Sequence, residues 1–531
     1  MPFFNDALDD VLLPDVIQSF ANGQNSYTRP SMLAEGQASL LRNVIPRVNG
    51  QLTKRLGTRS LGSGFVSGQD HRIQGLLYYD TPVSTALIAF ANGSAKYYDG
   101  VNWQSYFDAA LGDPNEIIDV VQLMDMVFFT DSTKDHIQLF DGSTVSEVTD
   151  APRATILKVI TNRLVASGID DVPDQVSFSD LLDGETWNIN NALRVGGGEG
   201  SPIIALEPWQ DNNLLIFKRQ GIYLMACDPT ATTAANFSVL KIHNSIGCVA
   251  KKSVCQIGQD VWFLSRNGVM SVQKQLATSN NVVAIPMSQP IQDMIERIRW
   301  EHVEKSCAVC YNNMYLLCVP IDDDIPDTTF VYHYLTGGWT HFTGWNATCF
   351  LEQPFRGASR LLMGYDDGEL REWLDYLRPD QVNARTDFKD NIVGVRIPFQ
   401  LPLFLPTAAE TDCEVITRAL TFGDVFSTKS AFYGSLEILQ KDGVASISMI
   451  RDGHNPELIG SWEFHPSGAT LPVALNFQLP VDPQFIRKSL PIFTHDDFTE
   501  LKFRLTSDSG AFTLRRITAQ AFMNTVNLLG D

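Results

Sequence analysis

"SVCQIGQDVWFLSRNGVMSVQ", Ser253 to Gln273, is the stretch on which the reading of this chain turns. It alternates, turns at Arg266-Asn267-Gly268 and alternates again. Val261 and Phe263 share one side, Leu264 breaks the strict alternation, and Val269 and Val272 resume near the turn. A period of two around an Asn-Gly turn predicts a β-hairpin. Strand side chains point alternately to opposite faces, and Asn-Gly takes the left-handed backbone of a tight turn. Nothing on the stretch carries evident catalytic chemistry.

The same kind of unit returns from about 70 to 375. "IQGLLYYD…TALIAFANGSAKYYDG" turns at Asn92-Gly93, and "IIALEPWQDNNLLIFKRQGIYLMACD" at Asp211-Asn212-Asn213 and Gln220-Gly221. "KSCAVCYNNMYLLCVP" turns at Asn312-Asn313, and "SRLLMGYDDGELREWLDY" at Asp367-Gly368. Starts recur at roughly 30–55 residue intervals, the spacing of four-stranded propeller blades. Tyr97-Tyr98-Asp99-Gly100 and Leu139-Phe140-Asp141-Gly142 are near copies. These features predict an all-β chain: a β-propeller of six or seven blades over 66–385, then a β-sandwich-like domain over 386–531. A set of β-sandwiches is the competing architecture. Residues 1–65 read as a segment that docks on or closes the propeller. A helical insertion is expected near 290–304, where Pro290 suits a first turn and Ile291, Ile295 and Ile298 form one apolar side. A second short helix is expected in "ALDDVLLPDVIQSF", broken by Pro14. In the C-terminal part, Leu501, Phe503 and Leu505 should face Phe512 and Leu514 across a turn at Asp508-Ser509-Gly510.

The chain has 531 residues, 44% hydrophobic and 19% charged, with a formal charge of -21. That is a folded composition, and its sign argues against a protein that grips phosphates. The eight cysteines, Cys227, Cys248, Cys255, Cys307, Cys310, Cys318, Cys349 and Cys413, sit in apolar runs. They read as free thiols from a reducing compartment. The N-terminus lacks the basic region of a secretory signal, and the most apolar tract is cut by Pro398, Pro402 and Pro406. A protein made in a cytoplasm, without a spanning helix, is expected.

No chemical constellation is complete. Cys307-x-x-Cys310 has metal or redox spacing but lies in a strand-like run, with only His302 and Cys318 near it, so core packing is expected. Asp322, Asp323, Asp324 and Asp327 lack the ordered ligand spacing of a calcium loop. "RVGGGEGSP", Arg194 to Pro202, is not a phosphate loop and reads as a connection between blades. "SDLLDGETW", Ser179 to Trp187, resembles an aspartate box but has Leu182 where the turn-forming aspartate belongs. No acid pair can be chosen among Glu207, Asp211 and Glu369. No cofactor, metal or catalytic residue is therefore expected. The local exception to the acidic charge is Arg42, Arg47, Lys54, Arg55 and Arg59. They are interleaved with Val44, Ile45, Val48, Leu52 and Leu56, and Asn49-Gly50 supplies a turn. This stretch is expected to be a docking or blade-closing element whose cations meet an acidic surface.

The same stretch, "PSMLAEGQASLLRNVIPRVNGQLTKRLGTRSLG", resembles the opening of the tail nozzle or hub proteins of short-tailed bacteriophages. The matching positions are Gly36, Gln37, Ala38, Asn43, Val44, Asn49, Gly50, Leu52, Arg55, Gly57 and Thr58. Leu56 stands where the family often has proline, and Gln37 where glutamate is commoner. "PDQVSFSD" at 173–180, "NSIGCVAKKSVCQIGQDVWFLSRNGV" at 244–269, "NNMYLLCVP" at 312–320 and "GGWTHF" at 337–342 also look like the family's propeller segments. The resemblance implies a non-enzymatic structural protein of the virion: a homohexameric ring below the portal–adaptor assembly, lining the channel for genome ejection. Its partners would be the adaptor ring, tail fibres or spikes, and double-stranded DNA passing without sequence recognition. The competing readings are a tail-borne enzyme degrading a surface polysaccharide, or a receptor-binding module that presents Tyr78, Tyr79, Tyr97, Tyr98 and Trp103.

Overall fold

Ser253–Gln273 folds into three short antiparallel strands, Cys255–Ile257, Asp260–Ser265 and Gly268–Ser271, with Ser265 paired to Gly268 across the expected turn. Val261 and Phe263 pack with Leu215, Phe217 and Ile222 of the preceding sheet. Trp262 and Leu264 pack with Tyr315, Leu317 and Trp339 of the following one. Both faces of the strand are covered. Consecutive positions must then be apolar, which is why Leu264 departs from simple alternation.

The computed structural model describes residues 12–62, 72–108, 116–277, 285–374, 412–464, 486–507 and 512–523, apart from short pieces at 83–84, 134, 170, 232, 234–235, 356–357, 425–426, 441–442 and 493–497. The tract 393–409 and the turn at 508–510 lie outside the described residues. The fold is a β-propeller with six four-stranded antiparallel blades, and the three-stranded sheet stands between the fourth and fifth of them. The innermost strands are Gly75–Asp80, Asp119–Leu123, Ile156–Ile160 and Ile203–Trp209, then Cys255–Ile257 of the small sheet, then Cys307–Tyr311 and Ala347–Phe355. Ala347–Phe355 packs back on Gly75–Asp80 and completes the ring.

Three turns disclose the repeat more fully than the paired "YYDG" and "LFDG" do. Asp99, Asp141 and Asp183 are spaced by the same 42-residue step and open the turn before the fourth strand in blades 1, 2 and 3. In each turn the carboxylate accepts N–H groups two and three residues ahead: Val101 and Asn102, Ser143 and Thr144, Glu185 and Thr186. These bonds replace backbone pairing in a reversal too tight for a ladder. The segment rejected above as a failed aspartate box is thus the third copy of the blade turn.

Ring closure comes from the other end of the chain. Thr58–Ser60 pairs antiparallel with Leu370–Trp373 as the fourth strand of blade 6, with further bonds from Leu61 N to Leu370 O (2.7 Å) and from Leu374 N to Gly57 O (3.1 Å). The β-sandwich is likewise built from both termini. One sheet joins Leu12–Ile17, Val44–Pro46 and Leu52–Lys54 to Lys429–Gln440, Ile486–Leu490 and Phe512–Met523. The other joins Gly23–Gln24 and Gln37–Arg42 to Cys413–Thr417, Gly443–Arg451, Glu457–Phe464 and Leu501–Ser507, and runs on into blade 5 through Gly338–Thr343. Phe20, Leu41, Val44 and Leu52 share a core with Val415, Ile447, Phe503 and Leu514.

Two expectations are corrected here. Leu12–Ile17 is a strand, not a helix. Among the described residues it is paired only to Phe512–Met523, so Pro14 sits where a missing N–H breaks no second described ladder. Leu501–Ser507 and Phe512–Met523 lie in opposite sheets. Their apolar residues meet across the core rather than as hairpin neighbours. The helical insertion is present as Gln292–Glu296 between single turns at Gln289–Ile291 and Val303–Lys305, with Ile291, Ile295 and Ile298 buried against the small sheet.

A fragment of residues 66–385 lacks the closing strand Thr58–Ser60 and the strands Gly23–Gln24 and Gln37–Arg42 that extend blade 5. We expect it to elute as aggregate in size-exclusion chromatography while the whole chain elutes as a defined species. A monodisperse, cooperatively unfolding fragment would show that closure is dispensable.

Candidate functional site: the junction of the N-terminal motif

Asn43 and Arg55 hold the propeller and the sandwich together. Asn43 sits between two strands with φ of 57°, a left-handed value that asparagine tolerates better than most residues. Its Oδ1 accepts hydrogen bonds from Arg55 Nε (2.9 Å) and from the backbone N–H of Thr343 (3.0 Å). Its Nδ2 donates to Thr343 Oγ1 (3.0 Å) and to the carbonyl of Asp412 (2.8 Å). Arg55 is wholly buried. It donates to Thr343 O (2.9 Å) and lies 5.5 Å from the Phe342 ring centre and 5.2 Å from that of Trp345. Trp345 packs edge-on against Trp373, whose Nε1 donates to Leu56 O (3.0 Å). A planar, weakly hydrated guanidinium suits this aromatic cage.

The other motif positions serve the same frame. Gly36 and Gly50 have φ of 83° and 81°, and a Cβ on either would meet Asn22 or Ser19 at 2.8 Å. Asn49 Oδ1 accepts Gln51 N–H (3.1 Å) in the turn. Leu52 and Ala38 are buried in the sandwich core, Gln37 Oε1 accepts Ala34 N–H (3.2 Å), Gly57 O receives Leu374, and Thr58 pairs with Trp373.

The basic residues divide. Arg42 pairs with Asp412 (2.7 Å) and Glu414 (3.3 Å), and Glu414 also meets Arg504 (2.6 Å). Arg59 pairs with Glu372, which Arg360 binds at 2.8 Å. Lys54 is buried, its Nζ 3.4 Å from Ser507 O. Lys54 and Arg55 therefore face inward, and the expectation that they meet another molecule's acidic surface is corrected. Their long stems fill the seam between the two sheet systems, where small apolar residues would leave a gap. Arg47 is exposed at the hairpin tip beside Val48, which is 66% exposed against the expectation of burial. Arg47 lies close enough to His333 to add to the burial that holds its imidazole below the ordinary value.

The remaining candidates resolve into structure. Cys307 and Cys310 fall on opposite faces of one strand, in two different cores. The three-residue offset in a period of two forbids a shared metal. All eight cysteines are free, and burial pushes the thiol of Cys248 up to about 11 and that of Cys413 up to about 12. Asp327 accepts N–H groups from Ile321 (2.9 Å) and Asp322 (2.7 Å), while Arg297 and Arg299 of the helical insertion pair with Asp322 and Asp324. Glu207 is paired with Lys158 (2.9 Å) and Glu369 with Arg371 (2.7 Å). Among the described residues no group of three or more metal-ligating side chains occurs, and no helix is long and apolar enough to cross a membrane. Tyr79 is buried, Tyr97 packs on Tyr106 and Tyr98 on Trp103.

What the sequence left unread is the charge cluster near the propeller axis. Asp119 is buried. Its Oδ2 accepts Leu157 N–H (3.1 Å), and its Oδ1 meets the ammonium of Lys252, with Lys251 at 3.7 Å. Burial opposes its ionisation, but Lys251 and Lys252 outweigh it and hold the carboxyl well below the usual range. Lys251 also donates to Ile117 O (3.1 Å) and Thr155 O (2.9 Å), tying the approach to the small sheet to blades 2 and 3. The lysines come from "AKKS", Ala250 to Ser253, an unremarkable tetrapeptide until the ring brings it to Asp119.

No protein-family profile and no curated protein matches the sequence. Among solved structures, the extracellular domain of the one-component system BT4673 from B. thetaiotaomicron aligns over 88% of this chain and 62% of its own, at 10% identity and a TM-score of 0.40. That of the hybrid two-component system BT3049 aligns over 90% and 62%, at 8% identity and 0.39. PorZ, a surface component of the type-IX secretion system of Porphyromonas gingivalis, aligns over 80% and 53%, at 12% and 0.35. The chain thus spans less than two thirds of each of these structures.

Proposed function

We propose that this chain is a structural subunit of the tail nozzle or hub of a short-tailed bacteriophage. It would stand in a ring of six below the portal and adaptor, with the genome passing through the ring and fibres docking outside. The observation that carries the reading is the junction itself. Gly36, Asn43, Gly50, Leu52, Arg55 and Gly57, through which the resemblance runs, form one continuous interlock between closing strand, blade 5 and sandwich. Such a two-domain body resists shear between its parts, as a ring under mechanical force requires. A net charge of -21 suits a wall along which DNA slides without binding. The reading assigns the chain no catalysis.

Mass measurement of intact tails should give six copies per particle, and one or two copies would overturn the reading. Arg47 is the exposed member of the basic stretch. Arg47→Glu should weaken tail assembly most at low ionic strength, with the defect narrowing as salt rises. Tail yields equal to wild type across the salt series would remove Arg47 from the interface.

A further inference from the structure

One face of the propeller departs from what its turns need. In an up-and-down blade the turn between the first two strands and the turn between the last two emerge on the same side. Contacts between blades join these turns into one surface. Tyr79 Oη donates to Asp125 O (2.8 Å), Gln122 Nε2 donates to Asp80 O (2.6 Å), and Gly184 of blade 3 packs on Phe128 of blade 2. On this surface Met124 and Leu182 have φ of 54° and 61° and are 53% and 52% exposed. The left-handed region disfavours a side chain with a Cβ, and water disfavours exposed apolar area. Corresponding first turns elsewhere place Thr161-Asn162, Gln210 and Asn312-Asn313 at positive φ, polar residues that expose no large apolar side chain. Val101 and Leu181, 61% and 43% exposed, extend the apolar tips. Strained apolar residues that stay half-exposed point to function rather than to fold.

The charge around these tips selects the occupant. The turns at 99–102, 124–125, 141–144, 180–186, 210–212 and 228–231 contain aspartates and a glutamate and not one lysine or arginine. Asp99 and Asp141 are held in the charged form by the N–H groups of Asn102 and Thr144 ahead of them, so these two carboxylates stay ionised into mildly acidic solution. We propose that this face of blades 1–4 docks a cationic segment of another protein in which lysine or arginine alternates with apolar side chains. The apolar side chains would seat against Met124, Leu181, Leu182 and Val101, and the cations would meet the surrounding carboxylates. This inference stands on the turn geometry and does not depend on the phage reading.

The test uses the whole chain and a labelled peptide of alternating lysine and leucine, with binding read by fluorescence anisotropy. The wild type should bind it, more weakly as salt rises. Met124→Asn with Leu182→Asn should reduce affinity at least about tenfold while keeping or raising Tm, since asparagine fits both turns better. Asp125→Asn, Glu185→Gln and Asp211→Asn together should flatten the salt dependence without touching the turn-capping aspartates. Three results would overturn the proposal. Oligolysine binding as tightly as the lysine–leucine peptide would make the attraction purely electrostatic. Wild-type affinity in the Asn double variant would remove the apolar tips from the site. Wild-type self-association in sedimentation that the double variant abolishes would make the occupant a second copy of this chain.

Discussion

Replacing Asp119 by alanine should destabilise the chain by about 2–4 kcal/mol, because it leaves two part-buried ammonium groups without their shared counter-ion. Lys252 loses its carboxylate outright, and Lys251 keeps its bonds to two carbonyls. Leu157 N–H loses its acceptor as well. Urea unfolding at neutral pH measures the loss as a lower midpoint at unchanged slope. A loss under about 1 kcal/mol would mean that water already reaches these ammonium groups. Asp119→Asn adds a pH test. The folded-state pKa of Asp119 is depressed, so its contribution is fully present above the unfolded value of 3.8 and is lost as pH falls further. The stability gap between wild type and Asp119→Asn should therefore stay constant above about pH 5 and begin to close below about pH 4. A gap that widened on acidification would contradict the assignment.

Arg55→Ala should cost a similar amount, about 3–5 kcal/mol, by a different route. It empties the cage beside Phe342 and Trp345 and leaves the Thr343 carbonyl without its guanidinium donor. Arg55→Lys keeps the charge but not the fork that reaches Asn43 and Thr343 together, and should recover less than half of the loss. Because the junction spans both domains, the alanine variant should also separate two unfolding transitions in calorimetry where the wild type has one. A single transition at near wild-type temperature would show that the shared sheet alone couples the domains.

Repetition was legible in the sequence because blade strands alternate and their turns need particular residues. The hairpin at Arg266-Asn267-Gly268, the turn at Asn312-Asn313 and the helix after Pro290 all follow from local rules that act within a few residues. The 42-residue step of Asp99, Asp141 and Asp183 was equally present, but it surfaces only when Asp183-Gly184 is aligned as a blade turn rather than tested as a catalytic box. Leu12–Ile17 was misread because its apolar spacing fits either period, and Pro14 suggested a broken helix. Only pairing with Phe512–Met523 decides for a strand.

By itself the sequence determined the blade hairpins, the propeller and the basic-apolar character of residues 42–59. The tertiary structure decided what that stretch does. Burial of Arg55, the outward placement of Arg47 and the sharing of sandwich sheets by the two ends of the chain depend on partners hundreds of residues away. The same holds for Asp119 and its lysines, more than 130 positions apart and joined only by the ring. Local propensity acts through neighbours in the chain. A buried charge is set by what surrounds it in space, and no pattern within a short window encodes that.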